Sequence, residues 1–213
     1  VGVRVDAGVG GPDDAADLLD RLADAARTVS PARAAEAHAA LADAVAAGRL
    51  AVADVDPPDR VRTADGAVHD ADPRETPPVV LDRAQLAGVL PPAVVVLPGH
   101  GDPVLLAELL DLAPASESVR VTVRAGGRAV PWEELPAAVA WAAALGRALP
   151  AGELVLHERL RVLVVDAERR GAPTEHTPGV WIGDDGVVHA DDPVRGLVAA
   201  LTVTRPREQF PAL

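Results

Sequence analysis

Apolar positions repeat along this chain with two periods, one near 3.6 and one of 2, and the two alternate from segment to segment. Val1, Val3 and Val5 alternate with Gly2 and Arg4, which predicts a short half-buried strand. The stretch DAGVGG (6–11) follows, and its glycines let the chain turn. Asp13 or Asp14 then caps a helix with Leu18, Leu22, Ala26 and Val29 at helical spacing. Ser30 caps a second helix, Pro31 fits its first turn, and Gly48 ends it. Ala34, His38, Leu41 and Val45 make its apolar stripe, so residues 13–48 read as a helical hairpin.

Paired prolines in VADVDPPD (52–59) mark a boundary, dividing the chain into 1–55 and 56–213. Asp65-Gly66 between short valine-containing arms predicts a β-hairpin over about 60–69. VVLD and AVVVLP read as strands, with a short helix around 83–90 between them. Asp102-Pro103 opens a helix carrying Leu105, Leu109 and Leu112. SVRVTVR (118–124) is the cleanest alternating strand, and AGG (125–127) turns it back into RAVPW. An alanine-rich helix covers about 136–149, and ELVLHERLRVLVVD holds one or two strands. AERRGAPTEHTPG (167–179) reads as a polar loop. A last hairpin covers about 180–189, and Pro193 opens a helix to about 201. The fold class expected is α+β (mixed): an N-terminal helical hairpin, then a mixed sheet with several β-hairpins and packed helices.

Composition narrows the function. Of the 213 residues 49% are hydrophobic and 24% charged, which is globular usage. Aromatics make up 2%, so the core must come from Val, Leu and Ala. All twenty basic residues are arginine; with the alanine content this looks like the coding bias of GC-rich DNA. A net charge of −12 leaves no basic footprint for nucleic acid and disfavours an anionic membrane surface. No apolar run reaches the length of a membrane span, and no signal segment opens the chain. With no cysteine there is no disulfide, thiolate metal site or cysteine nucleophile, and a bacterial cytoplasm is compatible.

Candidate chemistry is sparse. DGAVHDADP (65–73) and DGVVHADDP (185–193) echo each other, so His69, Asp72, His189 and Asp192 could form a paired metal or acid–base site. Local structure accounts for the same residues: Asp-Gly turns a hairpin, Val-His is its returning arm, and Asp-Pro starts a helix or turn. PGHGD (98–102) resembles one motif of metallo-β-lactamase-fold hydrolases, with His100 as the ligand. No histidine cluster of the H-x-H-x-D-H kind accompanies it, and Asp102 reads as a helix cap. Neither a G-x-S-x-G nor a Walker-A phrase occurs. Glu133 and Glu134 read as a solvated helix start beside an anchoring Trp132. Trp141 reads as core, and Trp181, near a loop, as the tryptophan exposed for partner binding.

SPARAAEAHAALADAVAAGRL, DVDPPDRVRTADGAVHDAD, PVVLD, DPVLLAELLDLAPASE, VPWEELPAAVAWAAALG and DGVVHADDPVRGLVAAL occur in that order. Together they resemble the C-terminal region of bacterial proteins with a sacsin N-terminal ATPase-like domain, relatives of Hsp90. The resemblance implies a nucleotide-binding domain with a Glu- and Asn-bearing helix, Asp-x-Gly-x-Gly and a later glycine-rich lid. Five residues precede Asp6 and no lid phrase follows, so DAGVGG is expected to be a strand-to-helix connection. The expectation is a non-enzymatic tail with no cofactor of its own and no catalytic residue. It would scaffold or bind a partner beside an Hsp90-like ATPase domain of the same protein, in the cytoplasm. Two rivals are a small metal-dependent hydrolase centred on PGHGD, with His100, His69 and His189 as candidate ligands, and a free-standing module that binds protein through Trp181.

Overall fold

The computed structural model describes residues 9–71, 77–167 and 172–203. The strand expected at 1–5, with Asp6, Gly8 and Asp72, lies outside the described residues. The fold is α+β. The chain divides into two compact units between Arg120 and Val121. The boundary expected near residue 55 is therefore not where the chain divides. Val55 and Val61 belong to the same core as the helices before them.

The first unit contains α1 (Pro12–Ala23), α2 (Pro31–Ala46), β1 (Arg60–Arg62), β2 (Val68–Asp70), β3 (Val79–Val80), β4 (Val95–Val96), α3 (Pro103–Leu110) and α4 (Ala115–Ser118). Gly11, not Asp13 or Asp14, is the N-cap of α1, and the Asp14 carboxylate accepts the Gly10 N–H at 3.1 Å. Helix α1 stops earlier than its apolar stripe suggested. The Asp24 side chain accepts the Ala26 N–H and the Arg27 Nε–H, and that local alternative competes with another helical turn. Ser30 caps α2 as expected, and Ala34, His38 and Leu41 are buried on it. Asp102 caps α3 through the N–H groups of Val104 and Leu105. Leu106, Ala107, Leu109 and Leu110 form the buried face of α3.

A buried arginine ties β1 to α1. Arg62 is 3% exposed and donates to the carbonyls of Leu22 (3.1 Å), Asp24 (2.8 Å), Arg27 (3.1 Å) and Gly66 (2.6 Å). Carbonyls at a helix C-terminus have no partner within the helix, and a guanidinium supplies the missing donors.

The second unit contains β5 (Val119–Val123, crossing the division), β6 (Arg128–Pro131), α5 (Pro136–Leu145), β7 (Glu153–Leu156), β8 (Val162–Asp166), β9 (Thr174–His176), β10 (Val180–Ile182), β11 (Val188–Ala190) and α6 (Pro193–Val203). Its larger sheet has the order β10-β11-β7-β6, with β11 parallel to β7 and the other pairs antiparallel. One face carries Val130, Leu154, Val188 and Ala190 and packs with Trp132, Leu135, Ala138, Leu197 and Ala200. The second sheet has the order β5-β8-β9. AGG does not fold β5 back onto β6, because those strands lie in different sheets. Within the segment read as a polar loop, Thr174–His176 forms β9 on β8.

Candidate functional site

The two crossings between the sheets of the second unit run beside each other. Residues 124–127 lead from β5 to β6, and residues 157–161 lead from β7 to β8. The Arg124 N–H donates to the Arg161 carbonyl at 2.9 Å and fastens one crossing to the other. Between them lies a cavity of about 570 Å³, lined by Arg124, Gly126, His157, Glu158, Arg159 and Arg161 among others.

His157 forms the inner wall. It is 6% exposed, and its backbone N–H donates to the Ala190 carbonyl at 2.8 Å, which anchors it to β11. Its Nε2 lies 3.1 Å from Nδ1 of His189, so one imidazole donates and the other accepts. Burial pushes the pKa of both rings below the ordinary histidine value. For His189 the neighbouring His157 adds to the effect, and Asp185 opposes it. Burial disfavours the charged form, and a second imidazolium beside the first would be repelled. Gly127 packs against this histidine: a Cβ there would sit 2.6 Å from the His157 ring and 2.4 Å from Val155 Cγ1. Any side chain at 127 would displace the histidine.

The rim is cationic. Glu175 of β9 reaches Arg124 at 3.2 Å and Arg161 at 3.6 Å, one carboxylate shared by two guanidiniums. Arg159 is exposed and makes no ion pair among the described residues. In a chain of net charge −12 this is a local concentration of positive charge.

The residues singled out from the sequence fall elsewhere or take other roles. Trp181 is 5% exposed, so the exposure expected of it is corrected. It stands opposite His189 on the face of the sheet away from α6, in a row continued by Val155 and Ala129. Trp141 is the less buried of the two and packs partly against the core, while Trp132 is 1% exposed within it. His69 pairs with Asp65 at 3.2 Å and His100 with Asp43 at 3.3 Å, both in the first unit; His189 pairs with His157 in the second. Among the described residues no group of three or more His, Cys, Asp or Glu is placed to hold a metal ion. Asp192 accepts the N–H groups of Val194 and Arg195 and starts α6.

PGHGD has a packing explanation. Gly99 has φ +62, and a Cβ there would lie 2.4 Å from the Ala35 carbonyl oxygen of α2. A Cβ on Gly101 would lie 2.8 Å from Ala39 Cα and 2.9 Å from Ala42 Cβ. The glycines let the loop rest on the backbone of α2. The serines are also engaged: Ser30 caps α2, Ser116 donates to Asp82, and Ser118 donates to the Pro114 carbonyl.

Sequence reasoning missed the arginine cavity and Arg62. Arginines flanking a Gly-Gly turn in RAGGR (124–128) and flanking Leu160 in ERLR (158–161) were the only signal. Their meeting depends on which strands pair.

In fold the chain is an α+β protein of two units, the second of which carries a cationic cavity. No protein-family model, no curated protein and no solved structure matches it.

Proposed function

We propose that this chain is a non-catalytic, partner-binding region of a larger bacterial cytoplasmic protein of the sacsin-like, Hsp90-like type, with the nucleotide site outside these residues. The observation that carries the reading is the arginine-lined cavity of the second unit. Guanidinium groups donate hydrogen bonds and hold charge, but at ordinary pH they neither give up nor take a proton. A wall built from them suits holding a ligand better than transforming one. The imidazoles beside them, which could move a proton, face each other. The resemblance of the six ordered segments supplies the context: a tail beside an ATPase domain, acting as a scaffold or docking surface.

Calorimetric titration of the chain with ATP and magnesium tests this. No binding independent of the cavity arginines is expected. Saturable binding with a stoichiometry near one that Arg159→Gln leaves unchanged would overturn the reading that the nucleotide site lies elsewhere.

A further inference from the structure

We infer that the cavity between the 124–127 and 157–161 crossings is an oxyanion-binding site, for a ligand that carries a carboxylate or phosphate group. The inference rests on the reading of that cavity as a holding surface, and it names the chemistry held.

Three observations converge. First, three arginines are among the residues lining one cavity, Arg124, Arg159 and Arg161, against a single lining acid, Glu158. Glu175 already answers Arg124 and Arg161, and the cluster of three arginines and two acids keeps an excess of positive charge for a further anion to meet. Arginine's planar fork of donors also matches the paired oxygens of carboxylate and phosphate. Second, this chain already shows two of these arginines engaging an oxyanion. The Glu175 carboxylate spans Arg124 and Arg161, one oxygen to each. Arg159 has no such partner among the described residues and is left for an incoming group. Third, the crossing itself offers donors. The N–H groups of Ala125 and Gly126, both lining the cavity, donate to no protein acceptor among the described residues, and Gly126 has φ +124. Successive free amides in a glycine turn form a concavity that attracts anions.

Size sets the scale of the ligand. A volume of about 570 Å³ is that of a small-molecule site, about 300–1,000 Å³. The oxyanion is therefore one end of a larger molecule, with the neutral His157–His189 pair beside its remainder.

The test is calorimetry of the full chain at low ionic strength with two probes, inorganic phosphate and succinate, against a chloride control matched for ionic strength. Saturable binding of at least one probe is expected, and which one binds assigns the site to phosphates or to carboxylates. Arg159→Gln is expected to weaken that binding about tenfold, the effect of losing one charge-assisted hydrogen bond. Arg159 is exposed and unpaired with acid among the described residues, so this variant should fold normally, as circular dichroism would verify. Arg49→Gln, an exposed arginine of the first unit, removes the same charge and should leave binding unchanged. Binding of neither probe would overturn the inference. So would equal weakening by both variants, which would mean that net charge alone attracts the anion. The two failures are distinguishable: ATP binding that survives Arg159→Gln speaks to a nucleotide site, and the phosphate and succinate titrations speak to the arginines.

Discussion

Two hairpins, β1–β2 in the first unit and β10–β11 in the second, are built to one plan. Asp65 and Asp185 each accept the N–H two residues ahead, at 2.9 and 3.0 Å. Gly66 and Gly186 each take a positive φ, 83 and 81. The cross-strand register also agrees: Val61 opposes His69 as Trp181 opposes His189. Their surroundings then separate them. The first hairpin stays two-stranded, and its Arg62 turns inward to bind the end of α1. The second joins β7 and β6, and the corresponding Ile182 packs partly against an apolar core. His69 meets a carboxylate of its own turn, whereas His189 meets another histidine. Local sequence specifies the hairpin, and the element packed against it decides what each side chain does.

The largest expected break in this comparison is at the Arg62–Ile182 pair of positions. Arg62→Ala leaves carbonyls of the α1 end and the turn without donors in a buried place, and should cost about 4 kcal/mol. Ile182→Ala removes a half-buried side chain and should cost about 1–2 kcal/mol. Urea unfolding measures both. All three tryptophans are in the second unit, so their fluorescence reports it, and far-ultraviolet circular dichroism reports the whole chain. Equal costs would mean that Arg62 is not a tie.

Acid sharpens the difference between the histidines. His38 of α2 is 2% exposed, donates Nδ1–H to the Leu97 carbonyl at 2.9 Å, and is pushed by burial down to about 4 from the ordinary 6.5. The folded value lies below the unfolded one, so this contribution is complete above pH 6.5 and is lost as pH falls toward 4. The loss should reach about 3 kcal/mol in the first unit. His157 and His189 are also held below the usual value, so the second unit weakens as pH falls below 6.5. Thermal melts from pH 7.5 to 4 follow both effects. His38→Leu should flatten the first-unit profile and leave the fluorescence-detected one unchanged.

The smallest effect tests what the hairpins share. Gly66→Ala and Gly186→Ala each place a Cβ at positive φ and should each cost about 1 kcal/mol. No atom stands closer than 3.7 Å to the added Cβ in either case, so backbone conformation alone sets the cost. Unequal values would show that the turns are less alike than their geometry.

What could be read from the sequence is what neighbouring residues decide. Ser30, Asp102 and Asp192 cap helices where the pattern put them, and Asp-Gly made both hairpins. Misreadings arose where distant pairing decides. The 118–124 strand was expected to turn back through AGG, but β8 takes it as a neighbour and β6 joins β7. Thr174–His176 is polar, yet pairing with β8 makes it a strand. Trp181 lies beside a loop in sequence and is buried on the sheet by its neighbours. The cavity arginines lie on two segments more than thirty positions apart (124 and 159–161), and only the two sheet crossings bring them together.

The loop that rests on α2 changes the meaning of the alanine content. The backbone at Gly99 and Gly101 comes so close to α2 that Ala39 and Ala42 leave no room for a larger group. Mutational drift toward GC-rich codons would explain alanine at many exposed positions, and there it could drift away again. At 39 and 42 such drift has no outlet: alanine is there by steric demand, whatever base composition first supplied it.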